Sequence, residues 1–295
     1  MHESARKPLD ATAFALMVLC TALWGFQQVV IKLTAADISY VMQAGIRSIV
    51  ATVLLFLWVF YYRVKLWERD GTLWPGIVAG LLFGAEFVFI YAGLEHTAAS
   101  RMVVFIYLAP IFTALGLHWF VPREKLSSWQ WAGVLLSFIG IFLAFFDATA
   151  KSSLLGDAFG VMGALLWAAT TVLIRATSLA RVSATKALFY QLAVSALVLP
   201  VASILMGEKG IVAITPAAVA GMAYQAVIVA FASYLAWFWL LTRYLAARLA
   251  VFSFLSPLFG VLAGVLVLDE PLTARFIVAA LLVGAGIVLV NLRRN

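Results

Sequence analysis

The sequence predicts an all-α integral membrane protein, with ten transmembrane helices arranged as two inverted five-helix repeats. Three observations predict it. The 295-residue chain is 65% hydrophobic and 11% charged, with mean hydropathy +1.07. A water-soluble domain carries about twice that charge fraction. The apolar residues fall into ten runs, each near the ~20 residues that a helix needs to cross the hydrocarbon core. The pattern of the first half also returns in the second.

The runs cover residues 12–33, 40–62, 73–95, 98–120, 129–147, 154–175, 184–206, 214–241, 247–268 and 272–292. They lack the alternation of a barrel strand, and lipid tolerates only helices or closed barrels. Arg6 and Lys7 precede the first run. Its length, and the absence of a small-x-small cleavage site, mark it as a first helix and not a removable leader. The linkers Lys65–Thr72, Pro122–Ser128, Ala148–Ser153, Gly207–Gly210 and Asp269–Pro271 are too short for a water-soluble domain. One cysteine, Cys20, excludes an internal disulfide framework and a cysteine metal site.

Cations set the orientation. With the N-terminus inside, fourteen lie on the inner side: Arg6, Lys7, Arg63, Lys65, Arg69, Arg123, Lys125, Arg175, Arg181, Lys186, Arg243, Arg248, Arg293 and Arg294. Five lie outside: Lys32, Arg101, Lys151, Lys209 and Arg275. Both termini are therefore expected in the cytoplasm. The same placement explains the net charge of +7 without a nucleic-acid partner, because the basic residues stand singly or in pairs at the ends of apolar runs.

The internal repeat is explicit in the residues. LWGFQQVVIK at Leu23–Lys32 returns as LWAATTVLIR at Leu166–Arg175. RMVVFIYLAPIF at Arg101–Phe112 returns as RLAVFSFLSPLF at Arg248–Phe259, and Glu124 matches Glu270. The halves are 1–148 and 149–295. An odd number of crossings in each half forces opposite orientations, a transporter design whose site lies where the halves meet.

Together, the LWG-type first helix, the mid-helix prolines of segments four and nine and the short acidic turns (PREKL, LDEPL) resemble the drug/metabolite transporter superfamily, EamA branch. Bacterial amino acid exporters of the YddG type are the nearest comparison. The resemblance implies a basket of helices around a central cavity, with segments five and ten at its periphery. It implies export of small metabolites, apolar or aromatic amino acids foremost, by alternating access in the bacterial inner membrane.

Candidate substrate-contacting residues follow from polar and aromatic groups at membrane depth. Gln27 and Gln28, and their repeat mates Thr170 and Thr171, either face the cavity or bond a neighbouring helix. Trp24 and Trp167 lie away from the interfacial aromatic belt and are candidate cavity walls, with Tyr91, Tyr107, Tyr234 and Trp237. Arg47 and Glu86 are ionisable groups within spans, a functional hypothesis by default. They either pair with each other or face substrate. Pro110 and Pro257 each remove a backbone hydrogen bond and are candidate hinges or static kinks. The expected partners are an amino-acid-like small molecule and membrane lipid, with the chain a monomer or weak homodimer.

Other classes fit less well. No phosphate-cradling glycine loop suggests ATP, and no HExxH, GxSxG or ligand cluster suggests an enzyme or a metal cofactor. Nucleotide sugars would need clustered cations, whereas Arg47 is the one clear mid-span cation. Cationic drugs would need a carboxylate, for which Glu86 is the candidate.

Overall fold

The computed structural model describes residues 9–66, 68–97, 99–146, 153–268 and 273–292. Arg6, Lys7, Lys151, Arg293 and Arg294 of the charge argument, and the Glu270–Pro271 turn, lie outside the described residues. Among the described residues, ten helices are long and apolar enough to cross a membrane. They are α1 (Ala11–Thr34), α2 (Tyr40–Tyr61), α3 (Leu73–His96), α4 (Arg101–Phe120), α5 (Ser128–Phe145), α6 (Leu154–Ala176), α7 (Ala184–Leu205), α8 (Pro216–Arg243), α9 (Ala246–Val267) and α10 (Ala274–Asn291).

Polar residues at the helix ends satisfy the first N–H groups, which have no partner within the helix. Asp10 accepts from Ala13 N–H at 2.9 Å at the start of α1. Ser127 and Gln130 form a reciprocal capping box on α5. Glu208, on the α7–α8 connection, accepts from Val41 and Met42 N–H at 3.0 and 3.1 Å and so caps α2 from the other half. At the opposite face Asp70, before α3, accepts from Lys186 in the first turn of α7 at 2.7 Å.

The helix contacts are symmetric under exchange of the two sets of five. α2 packs on α7 and α5 on α10; α1 with α9 is matched by α6 with α4, and α3 with α6 by α8 with α1. Glycine sets the closest approaches. A Cβ on Gly286 of α10 would fall 2.5 Å from the Gly133 carbonyl of α5. One on Gly25 of α1 would fall 2.7 Å from Gly260 N of α9. Gly260 therefore serves helix approach within the bundle.

Three spans are irregular, and all three carry candidate residues. α4 breaks into Ala99–Ile106 and Ala109–Phe120 at Tyr107–Leu108, just before Pro110. Its mate α9 narrows to a 3-10 turn over Val251–Phe254, just before Pro257. α8 widens to a π-helix over Tyr224–Ser233, a device that recurs at functional sites. No motif in the sequence announces that widening.

At the face where α1 begins, Glu124 and Arg175 form a buried ion pair, each side chain 1% exposed. Arg175 also donates to the Leu241 carbonyl at the end of α8 (3.0 Å), and Glu124 accepts from Ala246 N–H at the start of α9 (2.7 Å). Arg175, one of the cations that the sequence assigns to the inner side, is thus buried in the core at that end of α6.

Candidate functional site

Aromatic contacts run from α1 through α8 and α3 to α2. Trp24 Nε1–H donates to Ser233 Oγ at 2.9 Å, which fixes the indole against α8. Its ring meets Tyr234 edge-on at 6.2 Å and Trp237 at 5.9 Å. Tyr234 meets Phe83 of α3 at 6.0 Å. Phe83, Phe87 and Tyr91 follow at helical spacing with ring separations of 5.2 and 6.3 Å, and Tyr91 stacks on Tyr40 of α2 at 5.6 Å. Such ring pairs add specificity of geometry to the burial they bring.

Arg47 of α2 enters this wall. Its guanidinium lies 4.5 Å above the Phe87 ring, a cation–π contact. The residue is 2% exposed, and its Nη2 is sealed with no hydrogen-bond partner. Glu86, 7% exposed, is also buried. It lies within electrostatic range of Arg47 and Tyr234. No contact within 4.0 Å pairs it with Arg47, and no hydrogen bond holds its carboxylate. Of the two arrangements that the sequence left open, direct pairing is the one the structure lacks. A buried charge without a bonded partner is costly unless something else completes it.

The remaining candidates sit apart from this wall. Gln27 is buried with a sealed, unpartnered Nε2, whereas Gln28 is exposed. Trp167 of α6 and Phe254 of α9 flank Tyr107 at 6.1 and 6.3 Å, a second ring cluster at the break in α4. No ring contact joins it to Trp24. Tyr107 and Trp237 nevertheless pack against the same hydrophobic core. The Thr170 and Thr171 hydroxyls donate to the Leu166 and Trp167 carbonyls of their own helix, at 2.8 and 3.4 Å. Pro110 and Pro257 are both buried.

Sequence reasoning missed Ser233, Phe83 and Tyr40 as parts of the wall. The ladder Phe83, Phe87, Tyr91 was visible as i, i+4, i+8 spacing; Ser233 carried no signal, because its partner Trp24 is 209 residues away. A cavity of about 680 Å³ at the end of α2 is lined by Phe56, Phe60, Tyr61 and Arg63 among others, and by none of the candidates. Its exposed aromatic rings suit a membrane–water boundary. Among the described residues no group of three or more His, Cys, Asp or Glu side chains could hold a metal ion.

A family model described as the EamA-like transporter family matches residues 11–146 and again 154–292. The chain belongs to the EamA-like transporter family. This EamA-like transporter is 24% identical to an uncharacterized transporter of Archaeoglobus fulgidus, over 97% of its own length and all of that protein. It is 25% identical to a probable amino-acid metabolite efflux pump of Salmonella typhimurium, over 92% of each chain. A probable amino-acid metabolite efflux pump of Escherichia coli is 24% identical over the same share of each. A solved crystal structure superposes with a TM-score of 0.79 at 20% identity, covering 95% of this chain and 97% of that one, which bears on the fold alone. The protein is a multi-pass membrane transporter and not an enzyme.

Proposed function

We propose that this EamA-like transporter exports small zwitterionic metabolites, apolar and aromatic amino acids foremost, across the bacterial inner membrane with both termini in the cytoplasm. One observation carries the reading. Arg47 and Glu86 are ionisable groups of opposite sign, both buried beside the aromatic wall and within electrostatic range of each other, and no N–O contact within 4.0 Å joins them. A substrate carboxylate on Arg47 and its ammonium group on Glu86 would complete both, with Trp24, Tyr91, Tyr234 and Trp237 against its side chain. The efflux-pump names of two relatives at 24–25% identity point the same way.

Transport proceeds by rocking of the two halves, with Pro110 and Pro257 as hinges beside the irregular turns of α4 and α9. The chain works as a monomer or weak homodimer in lipid, without ATP. Counterflow in proteoliposomes with a panel of amino acids tests this. Leucine- and phenylalanine-like substrates exchange, and Arg47→Gln lowers the exchange about tenfold, the worth of a charged hydrogen bond. Failure of every amino acid to exchange sinks the reading.

A second reading is export of amphipathic cations. Glu86, a buried carboxyl group without a hydrogen-bond partner on the helix that carries Phe83 and Phe87, favours it. In that case Glu86→Gln abolishes cation efflux while Arg47→Gln leaves it intact.

A further inference from the structure

The two halves are alike in sequence but not in burial, and the difference falls on matched residues. Val251–Phe254 of α9 is sealed: Val251, Phe252 and Phe254 are 0% exposed and Ser253 is 2%. Their mates in α4, 147 positions earlier, are Val104, Phe105, Ile106 and Tyr107; only Val104 is buried, and the other three are partly exposed. The repeat places these segments at opposite faces of the membrane. The same contrast holds for the cations that end the repeated stretches Leu23–Lys32 and Leu166–Arg175. Arg175 is buried in its ion pair with Glu124, whereas its mate Lys32 is exposed and has no ion-pair partner among the described residues.

The Glu124–Arg175 knot sits where the sealed side must part. Glu124 follows α4 of the first half. Arg175, the Leu241 carbonyl and the Ala246 N–H belong to α6, α8 and α9 of the second. The gap beside Arg175, bounded by Leu179, Phe238 and Leu241, is about 10 Å³, at the lower limit for one water. Neither charge is reachable by solvent while the knot holds. Separating α4 from α8 and α9 would leave both ions to be rehydrated.

We infer that the Glu124–Arg175 knot is a latch that holds shut the face where α1 begins, so that the resting transporter is open to the opposite face. The inference concerns gating and is independent of the substrate. Removing one charge leaves the other buried without its ion-pair partner in the closed state only, because the open state admits water to it. The equilibrium therefore moves toward opening on the latched face.

Paired cysteine reporters test this in a Cys20→Ser background. Ala250→Cys reports the sealed face and Val103→Cys, its repeat mate, the other. The protein is reconstituted in nanodiscs and reacted with a charged maleimide. Without a latch variant, Ala250→Cys reacts about tenfold more slowly than Val103→Cys, in line with a closed-state bias of that size. Glu124→Gln speeds the first reaction several-fold and slows the second. The exchanged pair Glu124→Arg with Arg175→Glu recovers slow labelling at Ala250→Cys only in part, because the new arginine cannot accept from the Ala246 N–H and the new glutamate cannot donate to the Leu241 carbonyl. Should Glu124→Gln not fold, Arg175→Lys, which keeps the charge but cannot reach Glu124 and Leu241 together, gives the same readout. Unchanged rates in whichever variant folds overturn the latch.

Discussion

At the scale of single residues, unpaired and paired charges do different work. Arg47 and Glu86 retain their cost of burial, which makes them suited to a ligand; Glu124 and Arg175 discharge theirs on each other. Asp70 is a third case, outside the membrane spans. Lys186 and then Thr72 donate to its carboxylate, and hold it down at about 2, below the ordinary carboxylate range. A lowered carboxylate contributes stability that is present above its unfolded value and is lost as the pH falls through the folded one. Stability against thermal unfolding in detergent should therefore fall as the pH drops from ~4 to about 2. Asp70→Asn should flatten that part of the profile, modestly, because the pair is partly exposed. Ser233→Ala removes the acceptor of the Trp24 indole N–H. It should cost about 1 kcal/mol, read as a lower midpoint of thermal unfolding, with a raised KM if the indole also faces substrate.

At the scale of elements, span placement was legible and span interiors were not. Hydropathy located all ten helices because a bilayer demands ~20 apolar residues whatever the tertiary contacts. It could not show the π-helical stretch of α8, which depends on what packs around it. Prolines did signal the irregular turns of α4 and α9, since a missing N–H is a local fact. The pairing of α5 with α10 rests on glycine: Gly286 has Ser137 and Gly133 where a side chain would go. Gly286→Leu should separate these helices. A drop of about 2 kcal/mol or more in stability, the scale of overpacking, with KM unchanged, would place the pair outside the transport site. A raised KM would contradict that.

At the scale of the whole molecule, the halves are tied across both faces by their connections. Glu208 caps α2 at one face, and Asp70 meets Lys186 of α7 at the other. Ile38 and Ile211 form an antiparallel bridge between the α1–α2 and α7–α8 connections. α2 and α7 are thereby held against each other, and on the proposed rocking of the halves this pair would be the pivot. An Ile38→Cys, Ile211→Cys disulfide in a Cys20→Ser background should leave transport at about half the parent rate or better, on the view that rigid elements carry no hinge motion. Loss of transport on oxidation, restored by reductant, would show that these connections separate in the cycle.

The sequence by itself determined the membrane class, the number of crossings and the repeat, because hydropathy and spacing are properties of the chain before it folds. It also supplied the charged pair and most of the aromatic wall as residue types at depth. Only the tertiary structure decided which of them meet. Trp24 reaches Ser233 across 209 residues and Arg175 reaches Glu124 across 51; no local signal records a partner at that distance. Arg47 and Glu86 could have neutralised each other on adjacent helices. Instead the Arg47 guanidinium lies over the Phe87 ring, a contact that packing alone decides.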